Sequence, residues 1–195
     1  MNEQTYESLI KAALSSPVVN CDNPSRIVCF DLETTGLNPK IDEILQISMV
    51  DGDGNVLLNS YVKPYFHTEW PYAARVNHID VKTVQDAPTI IELIPKIVGI
   101  FNSAKTIVGY NHIHFDNRFI NALGIKFPKD VYQDDVMMDY AKYRKTLDEK
   151  HGGYKCYKLI EAAADFGFKF NPHDSLEDTK ATLYCFKMLQ KIRLK

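Results

Sequence analysis

An α/β fold is predicted: a mixed five-stranded sheet, an antiparallel meander plus parallel strands, flanked by helices. Two observations predict it. Three β-type runs follow one another between residues 26 and 61, and from there on short apolar runs alternate with stretches of helical period. A chain of 195 residues that is 45% apolar supplies one full core and hardly two. The expected organisation is therefore an N-terminal helix and linker over 1–24 and a single domain over 25–195.

The elements follow in order. Tyr6, Leu9, Ile10, Ala13 and Leu14 fall at i, i+3, i+4, i+7 and i+8, the spacing of an amphipathic helix that packs on its own domain. Asn20 to Pro24 reads as a linker. Strands are expected from Arg26 to Glu33, from Ile44 to Val50, and, after the turn Asp51-Gly52-Asp53-Gly54, through Tyr61. An irregular stretch holds Pro64 and Pro71. Ala87-Pro88 opens a helix with Ile91, Leu93, Ile94, Ile97, Val98 and Phe101 toward a core and a kink at Pro95. Lys105 to Tyr110 is the fourth strand, and a short fifth is expected near Val131. Further helices are expected around 115–123, 136–145, 157–166 and 175–192.

Composition narrows the function classes. The formal net charge of −2 fits neither a polybasic nucleic-acid coat nor an acidic disordered tail, so a polyanionic partner has to be met by local basic patches. Cys21, Cys29, Cys156 and Cys185 form no C-x-x-C pair, which points to reduced thiols rather than a zinc ribbon or redox dithiol. The first residues lack a basic start and a long apolar run, and no apolar stretch is long enough to span a bilayer. A cytoplasmic protein with no membrane association is expected.

The chemistry begins at Phe30-Asp31-Leu32-Glu33-Thr34-Thr35-Gly36. Side chains alternate along a strand, so Asp31 and Glu33 point to one face. Two carboxylates so placed raise one another's pKa or need a cation, and oxygen ligands suit magnesium or manganese. An exposed strand end bearing ordinary acids reads the same way. Two more segments add acids: Asp116 in Gly109-Tyr110-Asn111-His112-Ile113-His114-Phe115-Asp116, near the first turn of a helix, and Asp178 in His173-Asp174-Ser175-Leu176-Glu177-Asp178. Ser175 is the expected N-cap of the last helix with Asp178 at its third position, and capping alone accounts for acids there.

Together, FDLETTG, GYNHIHFD and H-x-x-x-x-D, in that order, resemble the DEDDh 3′-5′ exonucleases, the superfamily that includes the proofreading epsilon subunit of bacterial replicative polymerases. The resemblance covers residues 26–192 and implies a ribonuclease H-like fold. It makes Asp31, Glu33, Asp116 and Asp178 the metal-binding acids and His173 the general base. The related subclass with tyrosine in the third motif is disfavoured, since that region offers His173 and no nearby tyrosine. The implied cofactors are two divalent cations, Mg2+ or Mn2+. By resemblance Asp31 bridges them, Glu33 and Asp178 help hold the first, and Asp116 supports the second mainly through water. Such ions, about 3.5–4 Å apart, stabilise charge on the phosphoryl and leaving oxygens. A histidine suits the proton-accepting role because its ordinary titration range leaves a neutral base near pH 7.

The implied reaction is hydrolysis at the 3′ end of single-stranded DNA with release of nucleoside 5′-monophosphates. Thr34, Thr35, Gly36 and Leu37 match positions where relatives hold the terminal nucleotide. Asn77 and His78, in Val76-Asn77-His78-Ile79, match the lining of the last base's pocket, although His78 reads equally as a surface histidine. Asn111 completes the expected substrate contacts. His112 and His114 read as packing or capping residues rather than a metal pair. Lys142, Arg144, Lys145, Lys150, Lys155 and Lys158, interleaved with Tyr140, Tyr143, Tyr154 and Tyr157, suit a single strand, and a solvated helix face accounts for any one of them. The 145–155 insert with Gly152-Gly153 is expected to be a mobile flap. The alternatives are an exoribonuclease on short or structured RNA ends, differing in 2′-OH contacts, and a non-catalytic strand-binding or polymerase-accessory module, which has no use for a general base. The 17 residues beyond Asp178 leave no long tail for tethering, while a polymerase or replisome partner stays open.

Overall fold

The computed structural model describes residues 2–19 and 26–194; the expected linker at 20–24 lies outside them. The helix α1 (Glu3–Ser15) starts where Asn2 Oδ1 accepts the Thr5 N–H at 2.9 Å. Its Ile10 and Ala13 enter the main core, and Tyr6 meets the rings of Tyr65 and Phe66 edge-on at 5.0 Å. The following segment runs so close to the helix at Ile90–Ser103 that a Cβ on Gly99 would lie 2.0 Å from the Val19 carbonyl oxygen. The N-terminal helix therefore packs on the rest of the chain.

Strands β1 (Ile27–Thr34), β2 (Ile44–Asp51) and β3 (Val56–Tyr61) form the expected antiparallel meander. The β2–β3 turn is closed by Asp51, whose carboxylate accepts the N–H groups of Asp53 and Asn55 at 2.8 Å each. The stretch read as irregular holds two short helices, α2 (Pro71–Asn77) and α3 (Val81–Val84). Pro71 sits at the first helical position, where a missing N–H costs nothing, so here proline starts a helix instead of preventing one. Then come α4 (Ile90–Ser103), capped by a Thr89–Glu92 box and continuous through Pro95, β4 (Thr106–Gly109), α5 (Asp116–Ala122), β5 (Tyr132–Asp135), α6 (Val136–Arg144), α7 (Leu159–Asp165) and α8 (Ser175–Arg193).

The sheet order is β3-β2-β1-β4-β5, with β1, β4 and β5 parallel. Alternation along β1 divides its side chains between two cores. Val28, Phe30 and Leu32 join Ile47, Met49 and Ile107 under α1 and α4, whereas Cys29 joins Val50 and Val108 under α6, α7 and α8. Each large side chain buried in this way contributes about 1.5–3 kcal/mol. Continuing the second series places Asp31 and Glu33 on the face covered by α8, at the end of the strand where cover stops. A third, smaller cluster of Leu45, Trp70, Ile79 and Val84 fixes α2 and α3 beside that end.

Candidate active site

The site is built at the carboxyl end of β1 by three elements. Asp31 and Glu33 pair in register with Ser48 and Gln46 of β2. The β1–β4 ladder ends at Cys29 and Val108, so β1 runs on beyond its parallel neighbour. The Leu32 N–H is taken by the Asp116 carboxylate at 3.0 Å, which locks the first residue of α5 against the strand.

The start of α8 is seated by polar contacts. Ser175 Oγ donates to the Asp31 carbonyl at 2.8 Å, the Ser175 N–H donates to Gln46 Oε1 at 3.4 Å, and Cys29 Sγ donates to the Thr179 carbonyl at 3.4 Å. The expected assignment of Ser175 as N-cap is corrected: Asp174 is the cap, accepting the N–H groups of Leu176 and Glu177 at 3.0 Å each. Asp178 thus sits at the fourth helical position rather than the third. Aspartate and serine are both strong caps, so the Asp174-Ser175 pair was ambiguous, and tertiary contact with β1 decides it. His173, in the left-handed region at φ 72°, donates its N–H to Asp178 Oδ2 at 3.0 Å.

The four acids come together. Burial is the main cause that pushes the Asp31 carboxyl well above the ordinary carboxylate range, followed by the charges of Asp116, Asp178 and Glu33. Glu33 is raised to about 8 by burial and Asp178, Asp116 to about 7 by burial, and Asp178 to about 6 by burial with Asp174 and Glu177 adding to it. Among the described residues, Glu33, His173 and Asp178 place a ligand atom each within 4.8 Å of one another. Buried and half-buried carboxylates that repel one another, with hard oxygen donors and one exposed imidazole at the rim, fit divalent cations. Asp31, Glu33, Asp116 and Asp178 are the residues that would hold them.

The residues expected to meet substrate lie around this end. Thr34 Oγ1 donates to the Gly36 carbonyl at 2.6 Å, and the Thr35 hydroxyl accepts the Glu43 N–H at 2.9 Å, so both hydroxyls shape the loop. A Cβ on Gly36 would come within 2.5 Å of the Asp42 carboxylate, which itself accepts the Asn38 N–H at 2.8 Å. A side chain there would displace that carboxylate from its place in the loop. Leu37 is 77% exposed at the loop tip. Asn77 is buried, its amide donating to the Thr34 carbonyl at 3.3 Å, and His78 follows it exposed and left-handed at φ 58°. Asn111, left-handed at φ 60°, donates its N–H to Asp135 Oδ1 at 2.9 Å. His112 is fully buried against Gln133 Oε1 at 2.9 Å and edge-on to Phe30, and burial lowers its pKa, so it packs the loop that carries Asp116.

The basic segment is only partly free. Arg144 is committed to Asp165 and lies over the Tyr157 ring at 5.2 Å, Lys142 reaches Asp139 at 3.5 Å, and Tyr140 is fully buried and unable to stack on a base. Lys145, Lys150 and Lys158 remain exposed. The 145–155 excursion is a closed turn, with Leu147 bridged to Tyr154 and the Lys155 N–H bonded to the Thr146 carbonyl at 2.9 Å.

Comparison with known proteins agrees with this geometry. A family model described as exonuclease, RNase_T, matches residues 28–186. The PolC-type DNA polymerase III of Caldanaerobacter subterraneus subsp. tengcongensis is 31% identical over 85% of this chain and 12% of its own length. RNA exonuclease 4 of Candida albicans is 27% identical over 87% of this chain and 56% of its own. This chain thus spans only part of these relatives. Among solved structures, E. coli exonuclease I in complex with a dA16 oligonucleotide superposes with a TM-score of 0.67 at 21% identity, covering 86% of this chain and 42% of that one. That likeness shows a shared fold, the ribonuclease H-like sheet expected from the motifs. With the family match spanning most of the sequence and both outer motifs, the chain belongs to the RNase_T exonuclease family.

Proposed function

We propose that this chain hydrolyses the phosphodiester bond at the 3′ end of single-stranded DNA and releases nucleoside 5′-monophosphates. The observation that carries the reading is the convergence of Asp31, Glu33, Asp116 and Asp178 from β1, α5 and α8 at the carboxyl end of β1, with His173 tied to Asp178. Two divalent cations, Mg2+ or Mn2+, would be held by the four carboxylates and supply positive charge to the scissile phosphate and the leaving 3′ oxygen. His173 takes the proton of the attacking water, and the bond from its N–H to Asp178 holds its backbone at the rim. Gly36 and Leu37 present a backbone and an apolar tip to the terminal nucleotide, with Thr34 and Thr35 holding that loop in shape. His78 faces the last base from the end of α2, Asn77 fixes that end to β1, and Asn111 shapes the turn before Asp116.

DNA is the favoured substrate because a matched relative is a DNA polymerase and the superposed exonuclease I is bound to dA16. A polymerase partner belongs to the same reading. The described cysteines are unpaired, in keeping with a reducing, cytosolic place of action, and no helix among the described residues is long and apolar enough to cross a membrane. The match to RNA exonuclease 4 favours a second reading, in which the strand is RNA. Matched DNA and RNA strands labelled at the 5′ end decide it: faster shortening of DNA is expected, and faster shortening of RNA overturns the choice of substrate. A strand-binding module without catalysis would leave both intact and leave His173→Ala indistinguishable from the parent.

A further inference from the structure

Helix α2 carries an outward face that the fold does not use. Tyr72, Arg75 and Val76 lie at i, i+3 and i+4 and are exposed, Tyr72 at 82%, while Ala73 and Ala74 pack inward on the Leu45–Trp70 cluster. The Arg75 guanidinium lies over the Tyr72 ring, 5.8 Å from its centroid. Arg144 and Arg193 are committed to carboxylates, whereas Arg75 has none in ion-pair reach among the described residues. A single exposed tyrosine is ordinary on a protein surface. What sets this one apart is the rigidity and placement of its helix.

The carboxyl end of α2 is tied to the strand that carries the acids, and its start is tied to the segment that follows it. Asn77 donates to the Thr34 carbonyl at 3.3 Å and accepts the Ile79 N–H at 3.1 Å, and Trp70 Nε1 donates to the Ile79 carbonyl at 2.6 Å. Tyr72 is five residues before Asn77, about 8 Å along a helix axis. A step of that length leads away from the terminal nucleotide, toward the part of the strand on its 5′ side. We infer that Tyr72 and Arg75 form a binding site for the single strand upstream of the scissile bond. A base stacks on the open face of the tyrosine ring, and the guanidinium, already over the other face, meets the neighbouring phosphate. This site rests on the exonuclease reading and adds a place where length of strand is sensed.

The test measures binding of 5′-fluorescein oligothymidylates, from two to about eight nucleotides long and ending in a hydrolysis-resistant phosphorothioate, by fluorescence anisotropy. Affinity for the longer strands should fall about tenfold in Tyr72→Ala, while the dinucleotide is unaffected. Tyr72→Phe, which keeps the ring, should bind as the parent does. Arg75→Gln should lower the log–log salt slope by roughly 0.7. Tyr132→Ala, at a similarly exposed tyrosine on β5, is the control. Parental affinity of Tyr72→Ala for the eight-mer, or a loss in Tyr72→Phe equal to that in Tyr72→Ala, overturns the site. Hydrolysis of the p-nitrophenyl ester of thymidine 5′-monophosphate by the parent, with Mn2+, is read separately. Failure there counts against the exonuclease reading, whereas the binding series decides Tyr72 in either case.

Discussion

Asp31, Glu33, Asp116 and Asp178 hold their protons to higher pH in the folded chain than in the unfolded one, where an ordinary carboxyl titrates near about 4. Between that value and about 8, where Glu33 titrates, the folded state binds more protons. Stability of the metal-free protein therefore falls as pH rises across this window. Melting in chelator from pH 5 to 8 should show a falling Tm, with a shallower slope in Glu33→Gln and recovery on adding Mn2+. A slope identical in parent and variant contradicts the account. Legibility at this scale was uneven. That the acids and His173 gather at one end of β1 was readable, because chemistry restricts their identity and the motifs restrict their spacing. Ser175 was misread, since a serine beside an aspartate at a helix start carries no mark of which one caps and which reaches a distant strand. Arg144 and Tyr140 were read as strand contacts because sequence does not reveal that Asp165 lies across from them.

The strands and long helices were legible from period alone, with ends within a residue or two. The short helices α2 and α3 were not, because seven and four residues give no helical period to read and Pro71 resembles a breaker. The fifth strand was placed only approximately: Tyr132-Gln133-Asp134-Asp135 lacks a β-type pattern and is held by its parallel ladder to β4. At this scale α8 is the element that brings Asp178 to β1, and two side chains at its start do different work. Asp174→Ala removes a cap and should cost about 1 kcal/mol. Ser175→Ala removes a buried bond to the Asp31 carbonyl and should cost about 1–2 kcal/mol while also lowering kcat, because it frees the helix start from the strand that carries Asp31. Urea unfolding and initial rates measure both. A kcat loss in Asp174→Ala alone would assign the seating of α8 to the cap instead.

Over the whole molecule, one sheet separates two cores, and the site sits where β1 outruns its parallel neighbour, beside the start of α8. The sequence foretold that layering because strands and helices alternate in the right order, but a slightly acidic chain with a net charge of −2 gives no sign of where a polyanion would lie. The structure leaves Lys145, Lys150 and Lys158 exposed around the 145–155 turn. Replacing these three by glutamine should raise KM more than it lowers kcat, since such contacts bind ground state and transition state alike. The log–log salt slope of KM should fall by roughly 0.7 per lost contact, and an unchanged slope would make the turn mere solvated surface. The central claim, a carboxylate platform for metal-dependent cleavage from the 3′ end, is tested most directly by timed digestion of a 5′-labelled DNA strand with Mn2+, run beside chelator and beside Asp31→Asn. A descending ladder of labelled products, no cleavage in chelator, and a rate about 10³-fold lower in Asp31→Asn are expected. Release of the labelled 5′ mononucleotide as the first product, or a parental rate in Asp31→Asn, would contradict the claim.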